Sequence, residues 1–334
     1  MKSGLTVYPK VSVLWLNYNS MHVIEITKKS LNAIASLDYP DFELVVVDNG
    51  SSDGSKEAIE EHLKTQSMRK LKVTFVKLGR NLGWTGGVNA AYKARDKRAK
   101  YVALIHNDVV PKPDYLRTLI EYLENHKDVG AVQGIVNRLG YGSKVDSAGF
   151  MLDEALNLYA LHENSDLSLT KPVYLSYVEG TMPVYNVEAI RHAVKNDCDL
   201  YISGAFMYYL EDVFISIILW SSGYKSILLP VVTGKHQRMA VSGEHVKSLD
   251  LYHYRLRNHI TLLCMTNSAE KLRVILQNFR RAALSRGSFA FRQMILRSLI
   301  EGMRNGRQLR KKYGVINLYE TPMLKTSIKG RLRL

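Results

Sequence analysis

The amino-acid sequence predicts an α/β protein with a mostly parallel sheet flanked by helices. Short runs of apolar and β-branched residues alternate with segments of helical periodicity through the first half of the chain, as in consecutive βαβ units. Polar clusters directly follow several of these runs. In open α/β sheets, the crevice beyond the carboxyl ends of the strands is where ligands bind, so the same pattern also predicts a ligand site.

The predicted elements follow one another closely. The strands of the first half cover residues 11–16, 42–47, 72–76 and 101–105. The helices between them cover residues 24–37, 55–63 and 88–95. Residues 134–177 have weaker periodicity and are interpreted as strands and loops. Beyond them, Glu211 and Asp212 begin an apolar helix that reaches Trp220, a strand over 226–232 follows, and the last 80 or so residues are predicted to be helical and basic.

Composition narrows the class of protein. The 334 residues include 46% apolar and 23% charged residues, as in ordinary globular proteins. Cys198 and Cys264 are too few for a disulfide framework or a thiolate zinc site, which favours a reducing, intracellular setting. Residues 1–10 lack the apolar stretch of a signal peptide, and the most apolar stretch, 213–232, is interrupted by Ser, Gly, Lys and Pro. We therefore expect a cytoplasmic protein without a spanning helix.

The formal net charge of +15 is unevenly distributed. From Lys271 to the end of the chain, Lys and Arg recur at short intervals, whereas Glu301 and Glu320 are the only acids. Nucleic acid, anionic lipid headgroups or phosphorylated acceptors would match this charge. Basic and apolar residues interleave between 279 and 312, including Arg286. This mix is typical either of an amphipathic helix on an anionic membrane surface or of a solvated helical subdomain packed on the core.

Two polar clusters follow predicted strands of the first half. Residues 48–53, Asp-Asn-Gly-Ser-Ser-Asp, have the composition of a turn and helix cap, but the same amide and carboxylate groups can pair with the edge of a pyrimidine base. His106, Asn107 and Asp108 follow the strand 101–105 and precede Pro111. They are interpreted either as an ordinary strand-to-helix loop or as a site where Asp108 binds a divalent cation.

A third cluster lies in the second half. Glu211 and Asp212 are adjacent carboxylates at a predicted helix start, where the helix dipole stabilises acids; they either cap the helix or supply a base near a cleft. His236 follows the next strand and is either a packed histidine or a ligand.

In chain order, these clusters form a single pattern together with a glycine-rich segment. The segments concerned are Val11-Ser12-Val13 to Asn17-Tyr18-Asn19, Asp48 to Asp53, Arg80-Asn81-Leu82-Gly83-Trp84-Thr85-Gly86-Gly87-Val88-Asn89, His106-Asn107-Asp108, Glu211-Asp212 and His236. The pattern resembles glycosyltransferase family 2, which has the GT-A (Rossmann-like) fold, and within it a rhamnosyltransferase-like branch. The resemblance covers roughly residues 9–260, with a basic helical C-terminal extension beyond it.

The resemblance implies roles for individual residues. The side chains and backbone expected to bind the donor nucleotide are Asn17, Tyr18, Asn19, Asp48, Asn49, Asp53, Arg80, Asn81, Gly86, Asn89 and Asn107. Asp108 with His236 and His106 would hold Mg²⁺ or Mn²⁺. Asp212, in the family's Glu-Asp pair with Glu211, would deprotonate the acceptor hydroxyl. Two positions depart from the family pattern: His106 replaces the first acid of the Asp-x-Asp motif, and Asn49 replaces the second Asp of a strand-end pair.

The resemblance also implies an overall organisation. Residues 1–265 would form the GT-A domain, with a nucleotide-binding half over about 9–133 and an acceptor-binding half over about 134–265, and 266–334 would form the basic helical region. The reaction would be an inverting transfer from a UDP- or dTDP-linked sugar to a hydroxyl acceptor. The basic C-terminal region adds the hypothesis that this acceptor is a glycan or a polyprenyl-phosphate-linked sugar, and that the cytoplasmic protein is peripheral on the inner face of the membrane.

A different class of function remains open at this point. The chain could be a nucleic-acid- or nucleotide-binding protein without transferase activity. However, it has neither a G-x-G-x-x-G nor a GK[ST] motif, and it has no zinc, helix-turn-helix or RNP pattern. We therefore expect no nucleic-acid partner.

Overall fold

The computed structural model describes residues 8–161, 169–202, 208–237, 248–284 and 288–325. Its strands are β1 (Val11–Asn17), β2 (Phe42–Asp48), β3 (Lys72–Lys77), β4 (Tyr101–His106), β5 (Val109–Pro111), β6 (Val129–Arg138), β7 (Val145–Ser147), β8 (Phe150–Leu152), β9 (Leu158–Ala160), β10 (Val173–Tyr174), β11 (Val184–Asn186) and β12 (Lys225–His236). Its α-helices are α1 (Ile24–Ala35), α2 (Ser55–His62), α3 (Gly83–Ala94), α4 (Tyr115–Asn125), α5 (Val187–Val194), α6 (Glu211–Ser221), α7 (Ser248–Met265), α8 (Lys271–Leu284) and α9 (Phe289–Tyr313).

One curved sheet organises the described residues. Its strands lie in the order β10-β12-β6-β11-β4-β1-β2-β3, with β5 paired to β12 and β7 paired to β6. The four strands β3, β2, β1 and β4 are all parallel. Beyond β4 the sheet is mixed, because β11 runs antiparallel to both of its neighbours whereas β12 is parallel to β6. The predicted fold class is confirmed; β7 to β10 lie within residues 134–177, where the periodicity is weak, whereas the antiparallel strands β5 and β11 lie outside them.

Strand register brings the polar clusters to one edge of the sheet. Asn17 lies opposite Asp48 on β2, and Leu16 lies opposite His106 on β4. The three neighbouring strands therefore end at the same level. Each strand ends with a polar side chain directly after its last apolar residue, namely Asn17, Asp48 and His106. The apolar residues before them point alternately to the two faces of the sheet, both of which are covered.

Two apolar clusters cover the faces of the sheet. Leu14 and Leu16 of β1 face a cluster that includes α3, α6, α7 and α9, whereas Val13 and Trp15 face a cluster with α1 and α4. All four side chains are buried. This alternation follows from the two-residue repeat of a strand. It places the C-terminal helix α9 in the same core as the first strand.

Two element boundaries differ from the sequence prediction. Helix α3 begins at Gly83 rather than near residue 88, because the glycines allow close packing: a Cβ atom on Gly87 would lie 2.6 Å from a Leu16 methyl carbon. The segment predicted as a glycine-rich turn therefore forms the first turns of this helix. Strand β12 continues past residue 232 to His236, beyond the irregular register around Pro230.

The basic helices pack on the core. A Cβ atom on Gly306 of α9 would lie 2.4 Å from the Cys264 Cβ of α7, so the two helix backbones approach closely. Ile295 and Leu299 of α9 are fully buried. Helix α7 ends at Met265, and the predicted domain boundary after this residue stays a prediction. Arg286 and residues 326–334 of the basic region lie outside the described residues, and none of the described helices is both long and apolar enough to cross a bilayer.

Candidate active site

The first polar cluster forms an internal network. The Asn17 amide donates to Asp48 Oδ1 at 2.9 Å and to Ser55 Oγ at 3.1 Å. Asp48 also accepts from the Ser51 backbone N–H at 3.0 Å. Asn17 and Asp48 are both fully buried. These two side chains therefore hold the loops that follow β1 and β2 in shape.

Two further amides predicted to contact the donor have the same bracing function. Asn49 donates to Asn81 Oδ1 at 3.0 Å and accepts from the Leu82 N–H at 3.0 Å, which fixes the start of α3. Asn89 accepts from the Tyr201 N–H at 2.9 Å and donates to the Tyr201 carbonyl at 2.7 Å. Both amides are buried, and the partners of these hydrogen bonds belong to the protein itself.

The other predicted donor contacts lie nearer to solvent. Asp53 and Arg80 are exposed, whereas Tyr18, Asn19, Asn81 and Gly86 are half-buried. Burial acts to raise the pKa of Asp53, but hydrogen bonds from Ser55 and Met21 outweigh it and lower that pKa. These residues form the accessible rims of the two loops, whereas Asn107, which is also predicted to bind the donor, is buried.

The second cluster brings together three groups that can ligate a metal. Ligand atoms of His106, Asp108 and His236 all lie within 4.8 Å of one another. The fold achieves this through β5, which pairs antiparallel with β12 so that Val109 lies opposite His236. His236 Nε2 is 3.2 Å from Asp108 Oδ1. All three predicted metal ligands therefore meet, although they come from distant parts of the sequence.

Asp146 on β7 completes this cluster and was missed by the sequence analysis. It accepts a hydrogen bond of 2.7 Å from His236 Nδ1. Such a carboxylate fixes the tautomer and orientation of a ligating histidine. Burial acts to lower the pKa of His236, but the hydrogen bonds to Asp108 and Asp146 outweigh it and raise this pKa to about 9. Asp146 lies in a segment without a motif or clear periodicity, so nothing in the sequence indicated its partner.

The residues next to the cluster also suit a ligand site. The His106 ring packs edge-on against Trp84 with 4.5 Å between centroids, and burial lowers its pKa to about 4. The imidazole is therefore neutral and able to ligate. The Asn107 amide nitrogen is buried without a hydrogen-bond partner among the described residues, so it is a free donor beside the cluster.

Two imidazoles and a carboxylate in this arrangement fit a divalent cation. The imidazole of His236 is oriented by Asp146, and Asp108 supplies negative charge. Mg²⁺ and Mn²⁺ both stay predictions for this site. Sequence reasoning left both ions open.

The third cluster is presented by a strained turn. Tyr209 and Leu210 precede α6 with φ values of 65° and 67°, in the left-handed region that residues other than glycine rarely adopt. The Asn258 amide of α7 holds this turn by donating to the Tyr208 and Tyr209 carbonyls at 2.7 and 2.8 Å. Strain maintained by the surrounding structure is common at functional sites. Here it places Glu211 and Asp212 at the head of α6.

The two carboxyl groups lie in a pocket of about 510 Å³. Glu179 and Arg255 also line it. Burial, reinforced by the charge of Glu179, raises the pKa of Asp212 to about 7. Burial, reinforced by the charge of Asp212, raises the pKa of Glu211 to about 8. Carboxyl groups that titrate near neutral pH beside a cavity are suited to proton transfer.

Residues 180 and 181 form hydrogen bonds with both the metal-ligand cluster and the pocket. The His106 N–H donates to the Thr181 carbonyl at 3.1 Å, and the N–H of the adjacent Gly180 lies 3.4 Å from Asp212 Oδ2. The cation site and the buried carboxylates are therefore linked through residues 180 and 181.

Comparisons with known proteins agree with this architecture. The structure superimposes on a mannosyltransferase from Pyrobaculum calidifontis in complex with GDP-Man and Mn²⁺, with a TM-score of 0.51, 16% identity, and 92% of this chain and 75% of that chain covered. It also superimposes on S. aureus TarS 1-349 in complex with UDP-GlcNAc, with a TM-score of 0.53, 17% identity and 91% of both chains covered. The fold is that of GT-A glycosyltransferases.

Sequence comparison gives the family. The model of glycosyl transferase family 2 matches residues 12–193, more than half of the chain, so the protein belongs to glycosyltransferase family 2. An uncharacterized glycosyltransferase of Nostoc sp. is 30% identical over 139 residues, which are 42% of this chain and 40% of that protein. Poly-beta-1,6-N-acetyl-D-glucosamine synthase of Staphylococcus epidermidis is 30% identical over 37% of this chain and 28% of that protein. These matches span less than half the length of the curated relatives.

The predicted family is thus confirmed. The rhamnosyltransferase-like branch stays a prediction, as do the individual site roles.

Proposed function

We propose that the protein transfers a sugar from a nucleoside-diphosphate donor to a hydroxyl acceptor, with inversion at the anomeric carbon. The observation that carries this proposal is the turn at Gly180 and Thr181, which links the cation site of His106, Asp108 and His236 to the buried carboxylates of α6. A transferase needs both features close together, because the departing diphosphate and the attacking hydroxyl lie on opposite sides of the same carbon.

Donor binding is assigned to the loops beyond β1, β2 and β4. Tyr18, Asn19 and Asn81 would contact the nucleoside, and Arg80 and Asn107 would donate to phosphate oxygens. UDP- and dTDP-linked sugars remain the expected donors. The neighbouring structures with GDP-Man and UDP-GlcNAc support a nucleotide-sugar donor without distinguishing among bases.

Proton removal is assigned to Asp212. The acceptor oxygen attacks the anomeric carbon while its proton passes to the Asp212 carboxylate, and the bond to the diphosphate oxygen breaks with the electron pair leaving on the diphosphate. Asp108 and the two histidines would hold a divalent cation, which would supply positive charge to the departing diphosphate. The raised pKa of Asp212 strengthens it as a base relative to an exposed aspartate.

The acceptor is proposed to be a growing glycan or a polyprenyl-phosphate-linked sugar that enters the carboxyl-lined pocket. Arg255 is exposed on the pocket wall and lies 4.5 Å over the Tyr209 ring, where its guanidinium can meet a phosphate group. The pocket is large enough for a sugar ring and open enough for a chain to extend from it.

The proposal is tested by thermal shift of the purified protein against UDP, dTDP, GDP and ADP, each with and without Mn²⁺. One nucleotide together with Mn²⁺ is expected to raise Tm by several degrees, because ligand at about 100 times its Kd stabilises the folded state by about 2.7 kcal/mol. Absence of a shift with every nucleotide would contradict the donor assignment. A shift with no sugar transfer to any acceptor, and no hydrolysis of the nucleotide sugar, would instead indicate a nucleotide-binding protein without transferase activity.

Asp146→Asn is expected to weaken Mn²⁺ binding by about 10- to 100-fold. The Asp146 carboxylate orients His236 and increases the basicity of its imidazole, and the variant loses both effects. The measurement is a Mn²⁺ titration followed by electron paramagnetic resonance. Asp128→Asn is the matched control, since Asp128 is half exposed and pairs with Lys225 away from the cluster. Equal Mn²⁺ affinity in the wild type and Asp146→Asn would contradict this role.

A further inference from the structure

Helix α8 exposes an apolar stripe to solvent. Leu272, Leu276 and Phe279 follow one another at intervals of four and three residues, so they lie on one face of the helix. Their exposed fractions are 65%, 56% and 37%. The face that packs on the protein is a different one, because Val274 and Ala282 are the buried residues of this helix. The stripe therefore lies mostly outside the face that holds α8 to the described core.

Helix α9 repeats this arrangement. Phe289, Leu296 and Ile300 are 75%, 40% and 60% exposed and lie on one face at intervals of seven and four residues. Its packed face is formed by Ile295, Leu299 and two glycines. The surfaces of soluble proteins rarely expose this many large apolar side chains in two consecutive helices, so we expect the two stripes to contact a binding partner.

Positive charge accompanies both stripes. The cationic residues of the two helices are Lys271, Arg273, Arg280, Arg281, Arg292, Arg297, Arg304, Arg307, Arg310, Lys311 and Lys312. Glu301 is the single acid within these helices. It is engaged with Arg297 at 2.7 Å and with His253 at 3.2 Å. The cationic surface is therefore almost uncompensated within the two helices.

We propose that the exposed stripes of α8 and α9 dock on an anionic lipid bilayer. Apolar side chains would enter the boundary between headgroups and acyl chains, while the flanking Arg and Lys side chains meet lipid phosphates. Charge decides between this occupant and a second copy of the chain, since two copies docked through the same surface would bring like charges together. The inference does not depend on transferase activity.

The test is co-sedimentation of the full chain with vesicles of phosphatidylcholine alone and with 40% phosphatidylglycerol. Binding is expected only to the anionic vesicles and is expected to weaken as salt rises, because surface attraction is screened within about 8 Å at physiological ionic strength. The double variant Leu272→Glu/Leu276→Glu is expected to lower the partition coefficient by about tenfold or more, since it both removes apolar burial and adds charge that anionic lipid repels.

Tyr319→Glu is the matched control, because it places the same charge on a side chain that is 54% exposed outside the two helices. It is expected to bind vesicles like the wild type. A second variant, Arg304→Gln/Arg307→Gln, keeps the apolar stripes intact and is expected to flatten the salt dependence. No binding of the wild type to anionic vesicles would overturn the proposal, as would unchanged binding of both double variants. A dimer in solution that the Leu272→Glu/Leu276→Glu variant dissociates would assign the surface to a second copy instead.

Discussion

Asp212→Asn is expected to lower kcat by about 10²- to 10⁴-fold while leaving the Kd of the nucleotide and Mn²⁺ unchanged, because a positioned general base contributes this much to the rate. Asn keeps the oxygen that accepts from the Val213 N–H at 2.8 Å and has nearly the same volume, so the start of α6 is retained. The measurement is single-turnover transfer with saturating donor, alongside a nucleotide titration. An equal loss of kcat and donor affinity would show that Asp212 supports the donor site rather than the chemistry.

Glu211→Gln is the matched control for this variant. The Glu211 Oε2 atom is buried without a hydrogen-bond partner among the described residues, and burial raises the pKa of this carboxyl, so Gln mimics its protonated form. We expect its kcat to fall by less than about tenfold, well short of the loss for a general base. A Glu211→Gln variant as inactive as Asp212→Asn would move the role of base to Glu211.

The pH profile of the wild type gives an independent view of the same base. Asp212 must be deprotonated to accept the acceptor proton, and burial raises its pKa to about 7. Protons therefore compete for the base as pH falls, and the rate is expected to decline below about pH 7 rather than near pH 4, where an ordinary aspartate titrates.

The first half of the fold could be predicted because each element has a local signal. Strands β1, β2 and β4 are continuous apolar runs, and the polar residues that end them meet through parallel register alone. The second half depends on pairings between distant segments, such as β11 between β4 and β6, which no local pattern encodes. The interpretation as strands and loops was therefore general and covered residues 134–177 only, so β11 was not predicted.

The candidate site shows the same division. Asp108, His106 and His236 were identified from a motif that resembles a family, and they meet in the structure. The supporting residues were not found, because Asp146 and Asn258 act through side-chain hydrogen bonds with segments distant in the sequence. Asn17, Asp48 and Asn49 have the chemistry to bind a base, and their hydrogen bonds also brace the loops of the fold, so their contact with a donor stays a prediction.

Asp108→Asn is expected to abolish the Mn²⁺-dependent thermal shift and to lower kcat/KM by about 10³-fold or more, because charge stabilisation by a bound cation is worth several kcal/mol in such reactions. Asp108 is the one carboxylate among the three ligands, so without it the site offers only two imidazoles to a divalent cation. Asn keeps an oxygen facing His236 Nε2, which lies 3.2 Å from Asp108 Oδ1, so the local packing is preserved. The thermal shift and kcat/KM are both measured with the nucleotide that stabilises the wild type.

Asp114→Ala controls for loss of an acid from the same loop region, since Asp114 precedes α4, is exposed and makes no capping hydrogen bond. It should keep the full Mn²⁺ response.

Removal of metal by EDTA should bring the wild type down to the level of Asp108→Asn and leave that variant unchanged, because the cation acts through this carboxylate. A wild type that transfers sugar equally well in EDTA would contradict the role of the cation. An Asp108→Asn variant that keeps its Mn²⁺ response would place the cation elsewhere in the crevice.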